Sequence, residues 1–90
     1  MSEPLLDLIE EGDHLLLEIA VPGILESDID LTLEGTHLVF SADRPLISGS
    51  FLRREIERGT LVRVLELPFA VQLVHSSYED GVLRLELKRT

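Results

Sequence analysis

Apolar and polar residues alternate along most of this 90-residue chain, with a period of two. The alternation is clearest over residues 82–88, where leucines are separated by charged residues. The dipeptide Asp80-Gly81 precedes this run and suits a tight turn, because both residue types accept positive φ. Residues 74–78 alternate in the same way before the turn. The two runs predict a β-hairpin with one buried face.

The same period predicts two more hairpins nearer the N-terminus. In the first, the run before the turn at Gly12 would suit a short helix as well as a strand, and a strand pairing back across the turn is favoured. Pro22-Gly23 ends that hairpin, because proline lacks the donor that a strand ladder needs. The predicted strands are residues 5–10 with 14–21, and 29–33 with 37–42 around Gly35.

Two further runs have less regular patterns. Residues 51–57 carry charged side chains on both faces, which predicts an edge strand or an arm. Residues 61–67 are apolar on both faces, which predicts a strand at the centre of its sheet. Residues 43–50 form a loop by composition.

Seven or eight short strands, with turn signals every 8–12 residues and no long helical pattern, predict one all-β domain over residues 1–90. The predicted fold class is an antiparallel, immunoglobulin-like β-sandwich.

Composition narrows the possible functions. The absence of cysteine excludes disulfides and thiolate metal sites. No leader peptide or membrane span is recognisable, so a cytoplasmic location is expected. The net charge of −9 argues against a nucleic-acid partner. Residues 1–43 hold 11 acidic and no basic residues, whereas residues 44–90 hold 6 acidic and 8 basic ones. The acidic half is therefore either an electrostatic complement of the basic half or a solvated acidic face without a partner.

Catalysis, cofactors and metals have little support. His14, His37 and His75 lie in three different predicted strands without the spacing of a zinc site, so no metal is expected. No phosphate-binding loop or nucleophile elbow occurs, and the protein is not expected to be an enzyme. A glycosidase with two carboxylates from separate strands stays open, although one Tyr and three Phe give few platforms for a sugar.

Two strictly alternating apolar runs suggest a binding surface instead. If both strands lie at sheet edges, the gap between them is an apolar groove, with room above a small serine, that suits an extended segment. The alternative is that both faces pack into the domain's own core. The groove residues are Ile29, Leu31, Leu33, Val74, Ser76 and Tyr78.

Four short motifs occur in the order and spacing of a known family, and from about Leu6 to Lys88 the chain resembles the α-crystallin domain of small heat-shock proteins. Ser76 stands where the family's A-x-x-x-(N/D)-G-V-L motif has alanine, and Ala42 stands where glycine is usual. The motifs are Val21-Pro22-Gly23-Ile24, residues 28–33 with 38–41, residues 51–55 leading to Leu67-Pro68, and residues 76–83.

The resemblance implies an ATP-independent molecular chaperone that binds partly unfolded proteins in the groove and limits their aggregation. It also implies a homodimer in which the arm at 51–57 pairs with a partner's first strand, and the short 44–50 loop leaves open whether that exchange occurs. The implied dimer residues are Asp7, Glu10, Glu11, Phe51, Arg53, Arg54 and Arg58.

Relative to that family, the chain is expected to lack the N-terminal arm and the C-terminal I-x-I tail, and larger assemblies are expected only with those parts. The remaining alternative is a co-chaperone-type β-sandwich adaptor that docks a folded partner.

Overall fold

A computed structural model describes residues 4–90, which form seven antiparallel strands in two sheets. The four-stranded sheet has the order β1-β2-β7-β6 and the three-stranded sheet the order β3-β4-β5. The predicted all-β sandwich is therefore confirmed. The strands are β1 (Leu5–Glu11), β2 (His14–Ala20), β3 (Ile29–Glu34), β4 (His37–Arg44), β5 (Gly59–Glu66), β6 (Val71–Glu79) and β7 (Val82–Arg89), with a short 3-10 helix (Glu26–Asp28) before β3.

The three predicted hairpins are present as β1–β2, β3–β4 and β6–β7. The N-terminal run is a strand rather than a helix. Its register sets Leu6 and Leu8 opposite buried residues of β2, where they pack against the core. A period of two places both leucines on the inner face, whereas a helix would not.

The core lies between the inner faces of the two sheets and is wholly apolar among the described residues. Phe40, at the middle of the central strand β4, is fully buried. It packs with leucines from β2 and β7, which alternate into the same layer. The fully buried large side chains are Phe40, Leu15, Leu17, Ile19, Leu38, Leu87 and Val21.

Polar contacts between the sheets show how they are aligned. Arg63 Nη1 of β5 donates to the carbonyl oxygen of Pro4, beside the start of β1, at 3.3 Å. At the opposite side, the Tyr78 hydroxyl of β6 donates to the carbonyl oxygen of Ile24, shortly before β3, at 2.5 Å. Hence β5 lies on the β1 side of the sandwich and β3 on the β6 side.

The turn between β6 and β7 contacts the segment that follows β2. Asp80 and Gly81 have φ values of 53° and 76°, so both central residues adopt the left-handed region of a two-residue hairpin turn. The Val21 amide donates to the carbonyl oxygen of Gly81 at 2.7 Å. A Cβ atom on Gly81 would lie only 2.7 Å from Cα of Pro22. The motif Val21-Pro22-Gly23-Ile24 and the motif at residues 76–83 therefore contact each other.

Two predictions about single strands are wrong. For residues 51–57 the edge-strand alternative is wrong, because no strand of residues 4–90 lies beside them to supply ladder hydrogen bonds, and the arm alternative stays a prediction. Residues 61–67 overlap β5, which pairs only with β4 and lies at the edge of its sheet. Val62 and Val64 give this strand its second apolar face. They point outward, opposite Ser41 and Val39 of β4, and no second sheet of the described residues covers them.

Candidate functional site

Strands β3 and β6 are both edge strands, and they flank the same side of the sandwich. This is the condition under which the sequence predicts a groove between them. The link from Tyr78 to the carbonyl oxygen of Ile24 ties the end of β6 to the segment that enters β3. Each of the two strands leaves one backbone edge without a partner strand among residues 4–90, which is the arrangement that accepts an added extended segment.

The β3 wall consists of Ile29, Leu31 and Leu33. All three are half-buried and pack against the core. Their register with β4 sets them opposite the buried residues Ala42, Phe40 and Leu38, so they share the inner face. Their inner portions stabilise the fold, and their remaining exposed area is available at the sheet edge.

The β6 wall is more exposed than the β3 wall. Ser76 is exposed and lies opposite Leu85, and Tyr78 is half-buried opposite Leu83. A β-bulge between Leu73 and His75 leaves Val74 without a partner on β7, with 51% of its surface exposed. Apolar surface of this wall is therefore exposed at the bulge.

Leu73 belongs to this wall and was missed by sequence reasoning. It lies opposite Leu87 and therefore shares the inner face, yet 47% of its surface is exposed. The bulge shifts the alternation of β6 by one residue, so a strict period of two counted back from Tyr78 assigns Leu73 to the wrong face. Nothing in the residues around Val74 signals the bulge.

Tyr78 contributes a polar anchor as well as an apolar ring. Its hydroxyl lies 2.5 Å from the carbonyl oxygen of Ile24 and 3.1 Å from that of Val21. Burial raises the pKa of this phenol above its ordinary value of 10.0; nearby Arg44 lowers it and Glu26 raises it. The neutral, donating form is thus the form that the fold favours, and it ties β6 to the segment between β2 and β3.

The three predicted acidic dimer residues lie on β1, the other edge of the four-stranded sheet. Asp7, Glu10 and Glu11 are all exposed. Asp7 lies directly opposite Glu18, whose carboxylate accepts a hydrogen bond from Arg84 Nε at 3.0 Å. The edge of β1 therefore presents acidic side chains beside a backbone edge that no strand of residues 4–90 pairs with.

The predicted basic dimer residues lie in the loop between β4 and β5. The Arg54 guanidinium stacks over the Phe51 ring, 5.2 Å from its centroid, and Arg53 Nη1 lies 3.9 Å from a carboxylate oxygen of Glu55. Arg58 Nη1 donates to the carbonyl oxygen of Pro45 at 3.3 Å. The loop also exposes five large apolar side chains, namely Leu46, Ile47, Phe51, Leu52 and Ile56.

The end of this loop and the start of β1 face each other across an open cleft of about 510 Å³. Arg44 forms part of its wall, and its guanidinium donates to the carbonyl oxygens of Pro22, at 3.1 Å, and Glu57, at 2.5 Å. The acidic strand and the basic loop are thus neighbours in one chain. The cleft is lined by Pro4, Leu5, Ala20, Pro22, Gly23, Arg44, Ile56, Glu57, Arg58 and Leu61.

In the described part of the chain, no three side chains of His, Asp or Glu come together as metal ligands. His14 and His37 each contact a carboxylate, of Asp13 at 2.8 Å and of Glu66 at 2.5 Å respectively. Residues 4–90 also form no helix with the length and apolarity needed to span a bilayer.

The amino-acid sequence is similar to those of known proteins over most of its length. The model of the Hsp20/alpha crystallin family matches residues 7–90. The 18 kDa antigen 2 of Mycobacterium avium is 30% identical over 86 residues, which cover 91% of this chain and 62% of that protein. The 18 kDa heat shock protein of Clostridium acetobutylicum is 29% identical over 90 residues, with 92% and 60% coverage. The chain spans about three fifths of the length of these curated relatives.

Solved structures agree with the architecture. The crystal structure of hspA from Xanthomonas axonopodis superposes with a TM-score of 0.84 at 25% identity, covering 99% of this chain and 95% of that one.

Proposed function

Because this chain belongs to the Hsp20/alpha crystallin family, we propose that it acts as an ATP-independent molecular chaperone. In this proposal it binds partly unfolded proteins without covalent chemistry and limits their aggregation. The observation that carries the proposal is the pair of edge strands β3 and β6, which present apolar side chains on one side of the sandwich.

The groove supplies two kinds of contact to an extended client segment. The free backbone edges of β3 and β6 offer ladder hydrogen bonds, which do not depend on the client's sequence. The half-exposed Leu73 and Val74 offer apolar area beside the small Ser76, so alternate client side chains have space to dock. A segment that buries ~300 Å² of apolar surface gains ~7 kcal/mol before its ordering cost is subtracted. Sequence-independent hydrogen bonds and modest apolar area suit a binder of many clients.

The net charge of the chain supports the proposal that it limits the aggregation of its clients. A net charge of −9 on 90 residues keeps chain and bound client dispersed through repulsion between complexes. The charged residues lie on the surface, since the buried set contains no polar or charged side chain among the described residues. A cytoplasmic location is part of this proposal, on the strength of the family.

Dimer formation through β1 and the 45–58 loop is a further part of the proposal. The outer edge of β1 is acidic and pairs with no other strand of the part of the chain that the structure describes, and the loop carries exposed apolar and basic side chains that one chain leaves partly uncovered. Pairing the loop of one chain with β1 of another covers both surfaces and sets Arg53 and Arg54 close to the partner's acidic strand. Opposite charges thereby favour this register over a slipped one.

Light scattering by a model client at its unfolding temperature tests the function. Without ATP, equimolar chain is expected to slow the rise in scattering. An unchanged aggregation rate, in a chain shown to be folded, contradicts the proposal. If aggregation is unchanged and the chain also binds one folded partner at a fixed stoichiometry, the chain is an adaptor instead.

A further inference from the structure

The outer face of the three-stranded sheet carries an exposed apolar patch that the groove does not use. Register places Thr32, Val39 and Val64 in one row across β3, β4 and β5. Val39 is 37% exposed and Val64 is 64% exposed, so neither is needed to fill the core. Val62 lies on the same face, one row away, opposite Ser41. We call these four residues, Thr32, Val39, Val62 and Val64, the valine patch.

The valine patch has carboxylate side chains, which are negatively charged, at both of its ends. At one end, Glu34, His37 and Glu66 form a row across the three strands. At the other end lie Asp30 on β3 and Asp43 on β4. The eleven residues of β3, β4 and β5 that alternate onto this face include four carboxylates and no Lys or Arg. They are Asp30, Thr32, Glu34, His37, Val39, Ser41, Asp43, Thr60, Val62, Val64 and Glu66.

The outer face of the four-stranded sheet differs in this respect. There, Arg84 and Lys88 alternate outward among the acidic residues, and Arg84 Nε lies 3.0 Å from a carboxylate oxygen of Glu18. Its charges are mixed and partly neutralised within the chain. The face with the valine patch instead gathers negative potential around an apolar centre, which attracts cations from outside the chain.

From this arrangement we propose that the outer face of the β3–β4–β5 sheet is a second client-binding surface. Its partner is an unfolded segment with a short apolar centre flanked by Lys or Arg. The two acidic ends are separated by the six-residue step from His37 to Asp43 on β4, which spans ~20 Å in a strand. About four residues between cations, alternately apolar, match that distance, and long Lys or Arg stems cover the rim of the valine patch. This inference rests on the proposed holding function, because it names one class of client.

Binding of two labelled peptides tests the proposal on the folded chain. Both have a Val-Thr-Val-Thr centre; one is flanked by paired lysines and the other by paired glutamates. Fluorescence anisotropy at low salt is expected to show about tenfold tighter binding of the lysine peptide. The difference is expected to disappear near 1 M salt, where the screening length falls to ~3 Å. Equal binding of both peptides at low salt, or binding of neither, overturns the proposal.

Matched variants locate the binding surface. Asp30→Asn with Glu34→Gln is expected to weaken binding of the lysine peptide about three- to tenfold. Glu79→Gln with Glu86→Gln removes the same charge from the other sheet and is expected to change binding less than twofold. Equal losses in the two double variants show an effect of net charge alone and overturn the assignment. The expected loss for Val39→Thr with Val64→Thr is about fivefold, because the exchange removes exposed methyl groups with little change in shape. If the double threonine variant binds as the wild type does, the valine patch is not the docking centre.

The client aggregation assay is run on the same samples. Slowed aggregation without a peptide preference refutes this surface and leaves the chaperone function standing. A preference for the lysine peptide without slowed aggregation refutes the function and leaves the surface standing.

Discussion

The contact between the β6–β7 turn and Pro22 predicts that Gly81→Ala is severely destabilising. Gly81 has a φ of +76°, where a side chain is strained. Its added Cβ would lie 2.7 Å from Cα, 3.1 Å from Cβ and 3.2 Å from the backbone nitrogen of Pro22. Because two of these atoms are backbone, no rotation of a side chain relieves the overlap, and the turn itself has to move.

The magnitude follows from three contributions. A non-glycine residue in the left-handed region costs about 1 kcal/mol, and moving packed backbone apart costs about 1–3 kcal/mol. Displacing the turn also weakens the hydrogen bond from the Val21 amide to the Gly81 carbonyl, 2.7 Å long, which is worth about 1 kcal/mol. The total of about 3–5 kcal/mol is a large part of the stability of a domain of this size. The melting temperature is expected to fall by roughly 15–30 °C.

Urea unfolding followed by far-UV circular dichroism measures this loss, with Gly35→Ala as the matched control. Gly35 has a φ of +60° in the β3–β4 turn, and nothing lies within 4 Å of the position that an added Cβ would take. Gly35→Ala introduces the backbone strain of a positive φ without a steric overlap, and its free energy of unfolding is expected to fall by about 1 kcal/mol. Adding Pro22→Ala to Gly81→Ala is not expected to restore stability, because Cα and the nitrogen remain in place. Equal losses for Gly81→Ala and Gly35→Ala would refute the close approach of the turn to Pro22.

Three further predictions concern polar contacts. Tyr78→Phe is expected to lower the free energy of unfolding by about 1–2 kcal/mol at neutral pH. Because the folded pKa of Tyr78 is raised, the stability that its hydroxyl contributes is full below pH 10.0 and is lost as pH rises through the folded pKa. A difference in free energy of unfolding between wild type and Tyr78→Phe that stays constant as pH rises above 10.0 contradicts this. Arg53→Glu with Arg54→Glu is expected to weaken a dimer in sedimentation, most at low salt, and an unchanged profile removes these residues from the interface. Arg44→Met keeps the aliphatic stem but loses both bonds to backbone carbonyls, so chymotrypsin is expected to cleave the 45–58 loop faster; an unchanged cleavage rate shows that these bonds do not hold the loop.

The turns and the alternation were sufficient to predict the sandwich. Asp80-Gly81 and Gly35 demand positive φ, and each joins two runs with a period of two, so local chemistry alone fixes those hairpins. The alternation also predicts which residues of β2, β4 and β7 are buried. These are local properties of the chain, and they need no knowledge of which strands are neighbours.

The errors arose where neighbours decide the outcome. Two apolar faces suggested a central position for β5, yet Val64 is exposed on an edge strand. Residues 51–57 have a strand-like composition but no partner strand among the described residues. Leu73 was missed because a bulge at Val74 shifts the alternation, and a bulge is set by the pairing of β6 with β7. The contact between Gly81 and Pro22 joins positions far apart in the chain, and neither local pattern indicates it.

The most direct test of the chaperone proposal is client aggregation measured with Leu73→Ser and Val74→Ser combined. Both side chains are about half exposed on the β6 wall, so the double variant is expected to fold and to lose most of its ability to slow light scattering. Leu46→Ser, on the β4–β5 loop, removes a side chain that is even more exposed and is expected to hold clients as the wild type does. If the double variant protects the client as well as the wild type and Leu46→Ser do, the proposed groove between β3 and β6 is not where clients bind.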